Sequence, residues 1–132
     1  MTVLGIDYGV KKMGYAVGDC KTQVVTPLYT IVSVQYHRHL THIITLIHHW
    51  SIRDIVCSQP QGPISNRAVE FFCFIKNNLT SIRCHQYDEH MSTLISKRLY
   101  AYNRSLGAKK QSFIDHYAAA VMLEDWIDSN KV

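Results

Sequence analysis

The sequence predicts an α/β domain: a mixed five-stranded sheet, its first three strands antiparallel and the later ones parallel, flanked by helices. Three observations predict it. The chain opens with three strand-like runs separated by short turns. Helix, strand, helix, strand and further helical segments then follow, an order that suits a mixed sheet with helices on its faces. Finally, 132 residues with 47% hydrophobic and 18% charged side chains suit one domain, residues 1–132, that buries a core.

Each element has its own signal. Val3 to Asp7 is a short apolar run ending in an acid, Tyr8 to Lys12 reads as a turn, and Met13 to Gly18 resumes a strand, which makes a hairpin. Val24 to Val34 is rich in Val, Ile, Thr and Tyr, and Pro27 inside it marks an edge strand or a break. Tyr36 to Trp50 repeats Leu40, Ile43, Ile44, Ile47 and Trp50 at helical spacing. Asp54 to Ser58 is a short apolar strand, closed by the turn-forming Gln59-Pro60-Gln61-Gly62-Pro63. Ser65 or Asn66 is expected to cap a helix reaching Asn78, with Val69, Phe72, Cys73 and Ile75 inward. Ser81 to Tyr87 is the last strand. Ser92 to Tyr102 reads as helical, and Asn103 to Gln111 as a mobile basic loop. Ser112 is placed to cap a final helix carrying Ile114, Tyr117, Ala118, Val121 and Met122 on one side.

Composition excludes several classes. No apolar run approaches the roughly 18 residues of a membrane span. Met1 to Asp7 lacks the basic stretch and apolar core of a secretory leader, so a cytoplasmic protein is expected. Lys and Arg total 14 against 10 Asp and Glu, a net +4 that allows a polyanionic partner without requiring one. Cys20, Cys57, Cys73 and Cys84 form no CxxC pair and no zinc spacing, so reduced thiols, several buried, are expected. His37, His39, His42, His48 and His49 also miss a familiar zinc spacing and read as a solvated helical face.

The placement of acids carries the chemistry. Among three Glu and seven Asp, Asp7 ends the first strand, Asp88 and Glu89 end the last, and Asp115 opens the final helix. Ligands of open sheets bind where strand ends gather. Carboxylates brought together there repel one another unless cations neutralise them, and hard divalent ions such as Mg²⁺ or Mn²⁺ suit oxygen donors. Two such ions about 4 Å apart are a known device for phosphodiester cleavage. Taken singly, Asp7 and Asp115 read as turn and helix caps; only the joint pattern points to a metal site.

Three segments carry a resemblance. Gly5-Ile6-Asp7-Tyr8-Gly9-Val10-Lys11-Lys12-Met13-Gly14 resembles the opening motif of the YqgF (RuvX-like) family. Asp88-Glu89-His90-Met91-Ser92-Thr93 is similar to its Asp-Glu-Arg-x-Ser/Thr-Thr signature, and Ile114-Asp115-His116-Tyr117-Ala118-Ala119 to its C-terminal Asp-x-x-Ala-Ala motif. The motifs occur in the family's order across the whole chain. The resemblance implies an RNase H-like fold related to Holliday junction resolvases. It also implies a nuclease dependent on Mg²⁺ or Mn²⁺ and linked in bacteria to maturation of the 5′ end of pre-16S rRNA.

Carried over residue by residue, the resemblance makes Asp7, Glu89 and Asp115 the catalytic, metal-binding acids, with Asp88 supporting or competing with Glu89. Ser92 and Thr93 are expected to cap the following helix or touch phosphate. His90 stands where the family has Arg, which exchanges a permanent charge for one that depends on pH, so weaker substrate binding or an acid-shifted optimum is expected. The segment Cys57 to Gly62 replaces a Gly-Leu-Pro-type loop but keeps turn chemistry through Pro60 and Gly62.

Lys11 and Lys12 follow the first acid, and Arg104, Lys109 and Lys110 precede the last. With His90 they are candidates to hold a phosphate backbone, as well as ordinary solvated loops. Tyr8, Tyr87 and Tyr102 are candidates to stack on unpaired bases, against the plainer expectation of half-buried packing. The expected partner is nucleic acid, either structured RNA such as pre-16S rRNA or branched DNA, with no membrane and with the protein as monomer or homodimer. The alternatives are a Holliday junction resolvase-type DNA endonuclease and a non-catalytic nucleic-acid-binding module. A phosphotransferase of the actin and sugar-kinase type would need two such domains, more than 132 residues supply.

Overall fold

The computed structural model describes residues 1–60, 62–88 and 114–130, the side chains of Ile114 and Asp115 excepted. Five strands, β1 (Thr2–Asp7), β2 (Lys12–Asp19), β3 (Val25–Val32), β4 (Ile52–Gln59) and β5 (Arg83–Asp88), form one sheet in the order β3-β2-β1-β4-β5. The first three pair antiparallel, and β4 and β5 join parallel to β1. Helices α1 (Tyr36–Trp50) and α2 (Ser65–Asn78) make the two crossovers, and α3 (Ile114–Ser129) closes the described chain. The expected mixed sheet is what forms. Among the described residues no helix is long and apolar enough to cross a membrane.

Pro27 sits on β3, at the sheet edge, and the β2–β3 register shifts between Tyr15 and Ala16, beside its partner position. A proline cannot donate to a ladder, so an irregular edge strand is where it is tolerated.

Strand alternation divides the core into two. Leu4, Ile6, Met13, Tyr15, Val17, Ile55 and Cys57 face α1 and α2. Val3, Ala16, Val56 and Tyr87 face α3, which contributes Ala119, Ala120, Leu123 and Ile127. Beneath Ala119 and Leu123 the floor of the α3 face is a glycine. A Cβ on Gly5 would lie 3.2 Å from the Ala119 carbonyl oxygen and 3.3 Å from Leu123 Cβ, so the helix rests almost on the strand backbone.

Several inward faces differ from the sequence expectation. In α1 the buried residues are His39, Ile43 and Leu46, while Ile44 and Trp50 are exposed. His39 is not on a solvated face: it is wholly buried, with Nδ1 2.6 Å from the Tyr15 hydroxyl and Nε2 2.9 Å from the Ser33 carbonyl oxygen. In α2, Ala68, Phe71 and Ile75 point inward, and Val69 and Cys73 are exposed. The inward Phe71 meets the Tyr36 ring edge-on. The N-cap of α2 is Ile64, with no side-chain cap from Ser65 or Asn66. In α3 the innermost residues are Ala119 and Leu123, and Tyr117 and Ala118 are only half-buried. Of the four free thiols only Cys57 is buried, where desolvation pushes its pKa up. The expected helix at Ser92 to Tyr102, the loop Asn103 to Gln111 and the Ser112 cap lie outside the described residues.

Candidate active site

Because β1, β4 and β5 are parallel, their last residues, Asp7, Gln59 and Asp88, lie along one edge of the sheet. Asp7 pairs with Gly14, and Gly14 with Thr30, which makes a row across β1, β2 and β3. Val3 and Gly5 face α3, so alternation puts the half-buried Asp7 on that same face.

Two features fix the chain around Asp7. The paired β1–β4 register ends at Ile6 and Cys57, and one residue further the Tyr8 amide donates to Ser58 Oγ at 2.8 Å. Ser58 is only 4% exposed, so this bond is shielded from water. The following turn closes on Gly9, where a Cβ would lie 2.4 Å from the Lys12 carbonyl oxygen, too close for any side chain. Sequence reasoning missed Ser58. Its only signal was a hydroxyl at the end of a run of otherwise apolar residues, Ile55-Val56-Cys57.

The start of α3 comes to the same row. His116 Nδ1 is 2.9 Å from Thr30 Oγ1, so the first turn of α3, which includes Asp115, sits at the level of Asp7 and Gly14. Further along, Tyr87 Oη donates to Asp125 Oδ2 at 2.5 Å and ties β5 to the same helix.

Asp88 turns the other way. Tyr87 packs with α3, so the exposed Asp88 lies on the α2 face, in register with Gln59. Gln59 itself donates to the Ser65 carbonyl oxygen at 3.2 Å and accepts from Gln86 Nε2 at 3.0 Å.

Lys11 and Lys12 are exposed on the β1–β2 turn. Tyr8 and Tyr87 are each 7% exposed, so both pack in the core and neither offers a face to a base. Burial, and then the contact with the Tyr36 hydroxyl, raises the Tyr8 pKa and keeps it a neutral phenol. Glu89, His90, Ser92, Thr93, Tyr102, Arg104, Lys109 and Lys110 lie outside the described residues. Among the described residues no group of three or more His, Cys, Asp or Glu is arranged to hold a metal ion.

An unforeseen charged cluster lies nearer the opposite end of β4. Asp54, 3% exposed, takes Arg83 Nη2 on Oδ2 and His85 Nε2 on Oδ1, both at 2.9 Å. His85 also leans on Trp126, with ring centroids 5.0 Å apart. Both partners of the carboxylate come from β5, so the cluster fastens the two parallel strands.

The same architecture recurs in solved resolvases. Thermus thermophilus RuvC, solved in complex with a Holliday junction substrate, matches with a TM-score of 0.63 and 13% identity, over 98% of this chain and 96% of that one. The fowlpox virus resolvase, solved with Holliday junction DNA, matches with a TM-score of 0.57 and 13% identity, over 98% of both chains. The fold is therefore RNase H-like. Within that fold, the family model described as "RuvX: Holliday junction resolvase" matches residues 1–129, so the chain belongs to this family and is a nuclease that hydrolyses phosphodiester bonds. Similar proteins of nearly equal length occur in Chloroflexus aggregans (26% identical, covering 98% of this chain and 95% of that one) and Roseiflexus sp. RS-1 (28%, 98% and 95%). Both are named "Putative pre-16S rRNA nuclease".

Proposed function

We propose that the protein cleaves structured RNA in the maturation of the pre-16S rRNA 5′ end, with Asp7, Glu89 and Asp115 as its catalytic acids. The observation that carries this reading is the position of Asp7. It ends the central strand, on the face covered by α3, and the first turn of that helix bears Asp115 at the same level. Asp88 faces α2, away from Asp7, which speaks against it as the second acid and leaves that role to the Glu89 of the family motif. The names of the full-length relatives favour RNA over DNA.

The donor set is all carboxylate oxygen, which fits a hard divalent cation, Mg²⁺ or Mn²⁺, and not a soft one. Such a cation supplies charge stabilisation at the phosphoryl oxygens. The chain's own residues supply the rest. Ser58 and Gly9 hold the backbone on the C-terminal side of Asp7, which fixes where its carboxylate stands. Lys11 and Lys12 offer exposed positive charge one turn away, where a phosphate backbone would pass. His90, Lys109 and Lys110 complete the proposed nucleic-acid contacts. A single cut in RNA asks for one site, so a monomer suffices.

The test compares a labelled pre-16S leader with a synthetic four-way junction, each with Mn²⁺, Mg²⁺ or EDTA, for wild type and Asp7→Asn. Metal-dependent cleavage of the leader by wild type alone is expected. Preferential cutting of the junction would make the protein a DNA resolvase. Binding without cutting in either metal would make it a non-catalytic module.

A further inference from the structure

On the other side of the chain from Asp7 lies a cleft of about 520 Å³, lined by Tyr8, Val10, Val34, Tyr36, Arg67 and Glu70. We propose that this cleft is a subsite for one unpaired nucleotide of the substrate strand next to the cleaved bond. In it Arg67 would bind the phosphate, and Tyr36 and Glu70 would contact the base. The inference rests on the nuclease reading and names where that site holds its substrate.

Four observations carry it. The volume falls within the range of small-molecule pockets, roughly 300–1,000 Å³, and so has room for a nucleotide. The lining joins two valines and the Tyr36 ring, over the rim of the buried Tyr8, to one cation and one anion, the mixture a base with a phosphate asks for. Tyr36 is held rather than loose: its ring meets Phe71 edge-on at 5.1 Å, and its hydroxyl donates to the Arg67 carbonyl oxygen at 3.2 Å. Arg67 and Glu70 both line the cleft, and neither is in an ion pair among the described residues.

The cleft is also in the right place. Tyr8 follows Asp7 directly, and consecutive Cα atoms are about 3.8 Å apart. A strand crossing the sheet edge at Asp7 therefore reaches the cleft within one or two nucleotides. Arg67 offers a planar fork suited to phosphate, and a carboxylate such as Glu70 accepts from an exocyclic amine, as on cytosine. The cleft should thus prefer bases with an amino group over uracil.

The experiment uses full-length protein with two readouts. The first titrates CMP and UMP, without divalent metal, into Asp7→Asn and into Asp7→Asn with Arg67→Ala or Glu70→Gln, followed by NMR. CMP is expected to bind more tightly than UMP. Arg67→Ala should weaken both at least tenfold, and Glu70→Gln should remove the preference. The second follows cleavage of the leader, where Arg67→Ala should raise KM at least fivefold with kcat within twofold. CMP binding that Arg67→Ala leaves unchanged overturns the proposal, whether or not the protein cuts RNA. Loss of CMP binding in Arg67→Ala supports the subsite even if wild type cuts neither substrate, and in that case only the nuclease reading falls.

Discussion

The Tyr15 hydroxyl lies 2.6 Å from His39 Nδ1, and neither side chain has any exposed surface. The other ring nitrogen, Nε2, faces the Ser33 carbonyl oxygen at 2.9 Å. A carbonyl only accepts, so Nε2 carries the proton and Nδ1 accepts from Tyr15. The pair links β2 to α1 through a neutral imidazole.

This arrangement makes stability depend on pH. Desolvation holds the His39 pKa below its ordinary 6.5; the Ser33 bond opposes it in part, and the nearby His42 adds a smaller push downward. The unfolded chain therefore takes up the proton first. His39's contribution is complete above pH 6.5 and declines as the pH falls below it, at no more than about 1.4 kcal/mol per pH unit. Urea unfolding between pH 7.5 and 5 should show this slope, and His39→Gln should flatten it. An equal slope in both proteins would refute the assignment.

Ser58→Ala should act on both stability and catalysis. It removes the acceptor of the Tyr8 amide in a buried setting, which costs about 1–3 kcal/mol. It also loosens the chain next to Asp7, so kcat should fall by about tenfold, the equivalent of about 1.4 kcal/mol, with little change in KM. Wild-type kcat in a destabilised Ser58→Ala protein would show that the bond serves folding alone.

Asp88→Asn and Glu89→Gln should separate cleanly. Asp88 is exposed on the α2 face, so its neutralisation should leave cleavage within about threefold of wild type. Glu89→Gln should lower kcat by at least about a hundredfold, the scale of losing one group that stabilises charge in the transition state. Single-turnover cleavage rates measure both, and the opposite order would assign the role to Asp88.

At the Asp54 cluster, removing the buried anion should be milder than removing its cation. The Arg83 side chain is 64% exposed and returns to water when Asp54 is neutralised, so Asp54→Asn should cost about 1 kcal/mol. Arg83→Met leaves a carboxylate that is only 4% exposed with His85 as its remaining partner, and should cost about 1–3 kcal/mol. Urea unfolding at pH 7 ranks the two, and the reverse order would contradict this account.

The sequence carried those features that depend on local pattern. The ends of α1 at Tyr36 and Trp50, the edge position implied by Pro27 and the place of Asp7 at a strand end could all be read from it. It misled where a partner elsewhere in the chain decides the outcome. His39 reads as solvated because histidine is polar, and it is the Tyr15 hydroxyl and the Ser33 carbonyl, both outside its helix, that make its burial tolerable. On α2 the expected Ile75 is inward, but Ala68 and Phe71 take the stripe from Val69 and Phe72, with Phe71 in ring contact with Tyr36 of another helix. Asp54 stood in plain view, but its importance depends on Arg83 and His85, about thirty residues away.

The bare floor beneath α3 has a mechanical consequence. A helix seated on bulky side chains rides on a compliant layer that repacks when disturbed. Here Gly5 meets the helix backbone directly, and a Cβ on Gly18 would come within 2.9 Å of Ile127 Cδ1. With so little cushioning, α3 behaves as a rod in a keyway. The tip of Ile127 can turn aside from a methyl group at Gly18, but at Gly5 the obstacle is the Ala119 carbonyl and Leu123 Cβ, so the helix itself must give and the displacement passes along the rod to its first turn, where Asp115 sits. Small residues deep in the sheet thereby set the tolerance of a site they never touch.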